Sequence, residues 1–137
     1  MSDFCRFPEL TISGSALKAE RLRMQAVAEN IANINTTRQN GEIAPYQRKE
    51  VVFSELLDVS EPGSGVTASV EQDGTPPVLL YRPGHPDANE QGYVSKPNID
   101  MHFEMVDLIS AARSYQANLL AMKLSKEMAQ RTLSLGQ

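Results

Sequence analysis

Three side chains that could perform chemistry are sparse and widely separated along the chain: Cys5, His85 and His102. A cysteine or histidine can bind a metal ion or act as a nucleophile or base, but each use needs a second group at a suitable spacing. His85 lies in a stretch rich in glycine and proline, His102 lies near a predicted helix start, and Cys5 has no second cysteine to pair with. The pattern predicts no metal site, no intrachain disulfide and no cysteine or histidine catalysis.

The acidic residues form two further patterns. Asp87 and Asn89 begin like a calcium-binding loop, but its twelfth position would be Asn98 in place of the usual bidentate glutamate. Asp100 and Glu104 lie on one face of a predicted helix start, where acidic residues interact favourably with the helix dipole. The sequence contains no phosphate-binding loop, nucleophile elbow or dinucleotide-binding fingerprint. We therefore expect no enzyme activity, no cofactor and no small-molecule substrate.

The overall charge narrows the range of partners. The chain has 137 residues and a formal net charge of −4 at pH 7. A nucleic-acid-binding domain needs a clustered basic face, so we expect no nucleic-acid partner. No stretch approaches the roughly 18 apolar residues of a membrane span. The first residues lack the basic and then apolar pattern of a cleaved signal peptide.

The glycines and prolines divide the chain into three parts. Thirteen of the 16 lie between residues 41 and 97, and none lies in 15–40 or 98–135. Because both residue types disfavour helix interiors, we predict helical segments over 1–36 and 98–137, with loops and a β-hairpin over 37–97. The predicted fold class is mainly α. A helix over 98–135 would be roughly 57 Å long at about 1.5 Å per residue, which is too long for a single domain of this size to cover.

The C-terminal segment repeats apolar residues at the seven-residue spacing of a coiled coil. The predicted a positions are Met105, Ala112, Leu119, Lys126 and Leu133. The predicted d positions are Leu108, Tyr115, Met122 and Ala129. Lys126 either meets a carboxylate of a neighbouring chain or extends its ammonium group out of the seam. The two rows predict a seam that packs against another helix.

The N-terminal segment supplies a matching seam. One row holds Leu10, Leu17, Met24 and Ile31, and a second holds Val27 and Ile34, with the polar Ser13 and Glu20 as its earlier members. We predict that the two terminal helices form an intramolecular coiled coil, best formed from Met24 onward. Asn30, Asn33 and Asn35 follow, and asparagine is favoured at a helix end.

The middle segment has the signals of short strands and turns. Residues 51–53 and 78–81 are apolar runs, and residues 65–72 alternate apolar and polar side chains as a half-buried strand does. Asp73-Gly74 is a strong signal for a tight turn. This spacing predicts a hairpin that pairs residues 65–72 with residues 78–81.

Three stretches of the chain match a known sequence pattern. The first comprises residues 13–17 (SGSAL) and 28–36 (AENIANINT). The second comprises residues 80–89 (LYRPGHPDAN), 92–94 (GYV) and 97–100 (PNID). The third comprises residues 104–107 (EMVD), 113–118 (RSYQAN) and 132–137 (TLSLGQ). Together they resemble the bacterial flagellar basal-body rod family. The second and third stretches and the short chain are most similar to its proximal rod members.

The resemblance implies a structural subunit of the flagellar rod, which carries motor torque across the periplasm. It implies helical assembly with copies of itself and with other rod proteins, after export without a cleaved signal peptide by the flagellar type III apparatus. The expected assembly residues are Leu17, Met24, Val27, Ile31, Ile34, Met105, Leu108, Ala112, Tyr115, Leu119, Met122 and Leu133. The expected family-motif residues are Asn30, Asn33, Asn35, Ser114, Gln116 and Asn118.

Two functions of other classes fit parts of the same pattern. A cytoplasmic helical adaptor or export chaperone would share the long helices and the acidic balance, but would not need the asparagine-rich stretch. A periplasmic wall-cutting enzyme would need catalytic carboxylates in a cleft. An isolated subunit with both ends rigidly folded would favour the adaptor, whereas ends protected only in assembled basal bodies would favour the rod subunit.

Overall fold

The computed structural model describes residues 8–39, 41–56 and 65–135, without the side chains of residues 8–10. The chain is mainly α, as predicted: two long terminal helices enclose a small antiparallel β segment. The elements in chain order are α1 (Pro8–Ala32), β1 (Lys49–Glu55), β2 (Val66–Gln72), β3 (Val78–Tyr81), β4 (Tyr93–Lys96) and α2 (Met101–Leu135). Within the described ranges, neither helix is apolar enough over sufficient length to cross a membrane.

Local side-chain bonds explain where the helices begin and end. Asp100 caps the start of α2, because its carboxylate accepts a hydrogen bond from the backbone N–H of His102 at 2.8 Å. At the end of α1, the side-chain amide of Asn33 donates to the carbonyl of Glu29 at 2.9 Å. The backbone N–H of Asn33 donates to the same carbonyl at 3.1 Å, so the main chain and the side chain of Asn33 share one acceptor at the helix end. The predicted helix-end role of Asn33 is therefore confirmed.

The two helices pack antiparallel. Arg23 and Asp107 form an ion pair at 3.2 Å between α1 and α2. Towards the start of α1, a Cβ atom at Gly14 would lie 3.7 Å from the terminal methyl group of Met122. At about 1.5 Å per residue, the 25 residues of α1 span about 37 Å and the 35 residues of α2 about 52 Å. The second helix is therefore too long to be covered by the first.

The β1–β2 hairpin packs against α1. Its register runs from Lys49 opposite Gln72 to Glu55 opposite Val66. Ala19 and Ala26 of α1 are buried, and such small side chains allow a sheet to approach a helix closely. At the start of β2, the Ser15 hydroxyl accepts a hydrogen bond from the N–H of Val66 at 3.0 Å.

Gly65 makes this approach possible. Its φ of +146° favours glycine, and a Cβ atom there would lie 2.5 Å from the hydroxyl oxygen of Ser15. Any larger residue at position 65 would clash with Ser15 and adopt a strained backbone. Gly65 and Ser15 therefore fix the contact between the first half of α1 and the hairpin.

The predicted pairing of residues 65–72 with residues 78–81 is wrong. β2 pairs with β1, and β3 pairs with β4 in a second hairpin. The N–H of Asp73 donates to the carbonyl of Arg48 at 2.8 Å, which extends the β1–β2 ladder up to the expected turn. Pro76 and Pro77 follow, and because proline has no N–H it cannot continue a ladder. The Asp73-Gly74 turn signal therefore marks a connection between two hairpins.

The buried apolar core is small for a chain of this length. Among the described residues it consists of Ala19, Ala26, Val27, Tyr46, Val94 and Ala111. Half of these side chains are alanine, so each buries little apolar surface. Many larger apolar side chains are exposed, especially along α2 and on β3. The isolated subunit thus leaves many of its larger apolar side chains in contact with solvent.

Candidate functional site

The most completely buried polar side chain is Asn30, which is 0% exposed and lies near the end of α1. Its amide nitrogen donates to the carbonyl of Lys49 at 2.8 Å and to the Glu104 carboxylate at 3.1 Å. Its amide oxygen accepts bonds from the N–H of Lys49 at 2.9 Å and from the Tyr46 hydroxyl at 3.1 Å. The amide therefore uses both donors and both acceptor positions. One side chain joins α1, β1, the segment before β1 and α2.

Glu104 supplies the charge of this cluster. It is 1% exposed, and its carboxylate accepts a hydrogen bond from the guanidinium of Arg48 at 2.7 Å. Arg48 also lies 3.5 Å from the Asp73 carboxylate. Burial alone would lower the pKa of Arg48, but the Glu104 hydrogen bond and charge raise it above its usual value. Buried charges are tolerated when they are paired and hydrogen-bonded, as here.

We call Asn30, Tyr46, Arg48, Lys49 and Glu104 the polar anchor. Burial raises the pKa of Tyr46, so its hydroxyl stays protonated and available as a donor to Asn30. The donors and acceptors of the cluster bond to one another and hold elements together. This arrangement is suited to fixing the relative positions of α1, β1 and α2.

A second polar cluster holds the β3–β4 hairpin to the segment that follows α1. Asp87 is buried in the loop between these strands, and its carboxylate accepts hydrogen bonds from Thr37 at 2.7 Å and from Arg38. These two bonds lower the pKa of Asp87 below its usual value. The Nδ1 atom of His85 accepts a bond from the N–H of Asp87 at 3.1 Å. Asp87 and His85, both considered above for chemistry, therefore organise a loop.

Metal binding finds no support in the part of the chain that the structure describes. There, no group of three or more histidine, cysteine, aspartate or glutamate side chains is placed to hold an ion. Cys5 lies outside the described residues. His102 is exposed near the start of α2.

The six expected family-motif residues lie in different surroundings. Asn30 is the centre of the polar anchor, Asn33 caps α1, and Asn35 is exposed. On α2, Ser114 and Asn118 are half-buried, whereas Gln116 is exposed. Sequence reasoning assigned Asn30 to the helix end and missed its buried role. The available signal was its position inside the helix, where asparagine is unfavourable unless its side chain has a specific partner.

The covered side of α2 agrees with one predicted row of its seam. The d-position residues Leu108, Tyr115, Met122 and Ala129 are all half-buried. The row beside them on the covered side is small or polar: Glu104, Ala111, Asn118 and Ser125. These residues come one position before the predicted a row. Helices that approach closely select small side chains, which a search for large apolar residues passes over.

The predicted a row lies largely outside this covered side. Met105, Leu119 and Leu133 are exposed, with Leu133 at 71%, and Ala112 is half-buried. Within one chain, the predicted a positions Met105, Leu119 and Leu133 are therefore not seam residues. A straight helix drifts by about 20° per heptad, but the displacement is already present at Met105, the first position of the row. The buried positions are instead taken by the small Ala111 and by Glu104, which bonds to Asn30 and Arg48.

The predicted seam of α1 lies on covered surface. Val27 is buried, and Leu17, Met24, Ile31 and Ile34 are half-buried. The buried Ala19 and Ala26 were not predicted, because alanine gives a weak hydrophobic signal. They form a second covered side of α1 and lie toward the β1–β2 hairpin, so α1 has covered surfaces toward both of its neighbours.

A line of exposed apolar side chains runs along the side of α2 that faces away from its covered side, with Arg113 between two of its members. We call it the outer stripe, and it consists of Val106, Ile109, Leu120, Leu124 and Met128, all exposed. Their spacings of three, four and eleven residues keep them on one side of the helix. Exposed apolar side chains grouped on one surface mark sites that bind another protein or a membrane.

Family comparisons match both ends of the chain. Residues 10–38 match the flagella basal body rod protein family, and residues 90–135 match the C-terminal family of the flagellar basal body rod FlgEFG proteins. These ranges contain α1 with Asn30 and α2 with the outer stripe. They also contain the three stretches on which the resemblance was based, apart from residues 80–89 and the last two residues.

Curated relatives match nearly the whole chain. The flagellar basal-body rod protein FlgC of Bacillus subtilis (strain 168) is 43% identical over 147 residues, covering 96% of this chain and 98% of that protein. FlgC of Salmonella typhimurium is 43% identical and FlgC of Aquifex aeolicus 42% identical, each over 128 residues and 92% of this chain. They cover 94% and 93% of those proteins.

These relatives are structural proteins, so the adaptor, chaperone and wall-cutting enzyme alternatives are not favoured. The chain belongs to the FlgC family of proximal rod proteins, and it is a structural, non-enzymatic subunit of the flagellar basal-body rod.

Proposed function

We propose that this subunit builds the rod through its two terminal helices, which pack in a helical array with neighbouring subunits and transmit motor torque. The observation that carries the proposal is the outer stripe, a line of exposed apolar side chains on a helix of about 52 Å. Burying a Leu, Ile, Val or Met side chain contributes about 1.5–3 kcal/mol. In an array, each subunit buries its outer stripe against a neighbour, so this free energy is gained once per subunit.

The expected assembly residues divide into two groups under this proposal. Leu17, Met24, Val27, Ile31, Ile34, Leu108, Ala112, Tyr115 and Met122 line an intramolecular coiled coil, since all are buried or half-buried. Met105, Leu119 and Leu133 are exposed and contact neighbouring subunits together with the outer stripe. Ser114, Gln116 and Asn118 provide polar contacts that fix the register of the helices.

The polar anchor has a mechanical role in this proposal. A subunit that transmits torque must resist sliding of one helix past the other. Asn30 and Glu104 join the two helices at a single register, since a one-residue shift would leave buried polar groups without partners. Such a shift costs the desolvation free energy of each unpaired group.

The proposed partners are copies of this chain, other rod proteins and the flagellar type III export apparatus. Membership of the rod family supports the first two. Export as an unfolded chain is supported by the small buried core, since few apolar contacts must be broken to unfold the subunit. The proposal places export before assembly, so that the helices find their partners outside the cytoplasm.

The test is a charged residue on the outer stripe. Leu124→Asp should abolish rod assembly and swimming, because a carboxylate cannot be buried unpaired between subunits. Secretion of the variant should be unchanged, since export precedes packing. Gln91→Asp is the matched control: it places the same residue at an exposed position in the loop between β3 and β4, away from α2. Normal swimming with Leu124→Asp would contradict the proposal.

A further inference from the structure

The β1–β2 hairpin has an exposed face that turns away from α1. We call it the hairpin outer face, and its residues are Glu50, Val52, Ser54, Thr67, Ser69 and Glu71. All six side chains are exposed, whereas Val51, Val66 and Ala68 on the opposite face are half-buried. Side chains alternate along a strand, so the six residues share one surface.

Two carboxylates face each other on this surface. Glu50 lies directly opposite Glu71 in the ladder. Like charges at directly opposed positions destabilise a sheet. Among the described residues neither glutamate forms an ion pair, and Arg48, two positions before Glu50, is engaged by Glu104 and Asp73. Glu50 is therefore partly compensated by the nearby charge of Arg48, but in the described part of the chain neither member of the opposed pair has an ion-pair partner.

The surrounding sequence strengthens this negative charge. Residues 50–73 contain six acidic residues and no lysine or arginine. They are Glu50, Glu55, Asp58, Glu61, Glu71 and Asp73, of which Asp58 and Glu61 lie outside the described residues. The hairpin outer face is thus acidic, with the exposed Val52 beside the opposed glutamates.

The outer stripe of α2 has the opposite charge. From Val106, where the stripe begins, to Leu135 the helix contains four basic and two acidic residues, a net charge of +2, and one of the acids, Asp107, is paired with Arg23. Arg113 and Arg131 lie seven residues before Leu120 and seven after Leu124, so the four side chains share one side of the helix. Within the described residues, neither arginine makes an ion pair. Arg113 lies within the outer stripe, between Ile109 and Leu120, and Arg131 lies just beyond Met128. The acid on this side is Glu127, four residues before Arg131, so the cations are in excess.

These complementary surfaces lie on different sides of one subunit. The hairpin packs on one side of α1 and α2 on another, and both surfaces turn away from α1. They therefore cannot meet within one chain. Complementary surfaces on different sides of a molecule produce a head-to-tail contact, which forms an open helical assembly when the rotation does not close.

We propose that the hairpin outer face of one subunit docks on the outer stripe of a second copy of this chain. Val52 packs against Leu120 and Leu124, and Glu50 and Glu71 receive Arg113 or Arg131. The inference rests on the proposed rod assembly and names one of its subunit contacts. The opposed glutamates, unfavourable in the free subunit, become favourable when the neighbour's arginine arrives.

The first test separates folding from assembly. Glu50→Lys places a cation opposite Glu71, so the purified subunit should be at least as stable to urea as the original chain. Rod assembly and swimming should nevertheless fall about tenfold or more, because a close charge pair across the contact is reversed. Glu90→Lys is the control, since Glu90 is an exposed acid in the loop between β3 and β4.

Restoration by a second reversal identifies the partner surface. Adding Arg113→Glu and Arg131→Glu to Glu50→Lys and Glu71→Lys should recover most of the lost swimming, although each pair alone impairs it. Impaired swimming with Glu90→Lys alone, or no recovery in the combined variant, would overturn the contact.

Cross-linking then tests the identity of the neighbour. The full chain carries Val52→Cys and Leu124→Cys, with Cys5→Ser to remove the native thiol, and basal bodies are isolated and oxidised. We expect a cross-linked species of twice the 15.1 kDa subunit mass. Incorporation without this species, or cross-links to other rod proteins only, would overturn the contact while leaving the proposed function intact. Absence of the original chain from basal bodies would overturn the proposed function as well.

Discussion

The first turns of α2 and its second half differ sharply in what surrounds them. Near its start, Glu104 is buried, bonds to Asn30 and Arg48, and ties the helix to α1 and β1. In the second half, Leu120, Leu124, Met128 and Leu133 are exposed, and no cation between residues 119 and 135 forms an ion pair within the described part of the chain. One helix thus has an end completed by its own chain and an end that requires neighbours.

The comparison shows how specificity and assembly are divided along a helix. Buried polar groups contribute little net stability, but they exclude alternative registers because a shifted register leaves them unpaired. Exposed apolar groups are non-directional and gain free energy from any apolar cover. The anchored end therefore fixes the subunit's shape, and the exposed end provides the free energy of association.

The largest expected effect is at the anchored end. Arg48→Met leaves the Glu104 carboxylate buried without its cation, and breaking a buried ion pair by removing one partner costs about 3–5 kcal/mol. Urea unfolding of the purified subunit measures this loss. The double variant Arg48→Met with Glu104→Met should recover most of it, because both charges are gone. If Arg48→Met were as stable as the original chain, the polar anchor would have no stabilising role.

Asn30→Ala should destabilise the subunit by about 2–3 kcal/mol, since it leaves buried donors and acceptors of Lys49 and Glu104 unpaired. The control is Asn35→Ala, which changes an exposed asparagine of the same sequence stretch and should stay within about 0.5 kcal/mol. The urea unfolding midpoints of the two variants, measured under the same conditions, test this difference in stability. Equal losses would mean that burial of Asn30 does not distinguish it from its neighbours.

A smaller effect depends on pH. The pKa of Asp87 is lowered from 3.8 by hydrogen bonds from Thr37 and Arg38, so the folded state favours the ionised form. The stabilisation is complete above pH 3.8 and is lost as the pH falls through the lowered pKa. Asp87→Asn should therefore have a smaller free energy of unfolding than the original chain at pH 7. The difference in free energy between the two proteins should shrink as the pH falls below 3.8.

Urea midpoints of both proteins at pH 7 and pH 3 measure the narrowing. Glu29 and Asp73, whose pKa values are also lowered, titrate in both proteins and cancel in the difference. A gap that is constant over this range would show that the charge of Asp87 contributes nothing.

The smallest effect on folding is expected at the exposed end. Leu120→Ser should change the stability of the isolated subunit by about 0.5 kcal/mol or less, because surface substitutions away from buried features have little effect. The same substitution should reduce incorporation into basal bodies, measured by immunoblotting. A large loss of stability in the monomer would mean that the outer stripe is already covered within one chain.

Much of the fold could be predicted from the sequence. The distribution of glycine and proline predicted two terminal helices with a β segment between them, and the structure begins α2 at Met101, three residues after the predicted start. The motifs at both ends predicted the rod family. These features are local: helix interiors exclude glycine and proline, and a family pattern is a string of neighbouring residues.

The pairing of strands and the centre of the site could not be predicted in this way. Whether residues 66–72 pair with β1 or with residues 78–81 depends on contacts far apart in sequence, which the Asp73-Gly74 signal does not report. Asn30 resembles Asn33 and Asn35 in type and position, and its burial follows from the arrival of Tyr46, Lys49 and Glu104.

The same distinction holds for the long helix. The sequence by itself determined that α2 is helical, amphipathic and too long for its own domain. Only the tertiary structure decided which side is covered within the chain, because close packing placed Ala111 and Glu104 on the covered side and left Met105 and Leu119 exposed. Hydrophobic periodicity reports how much apolar surface a helix carries, whereas the shape of the neighbouring helix decides which part of that surface is buried.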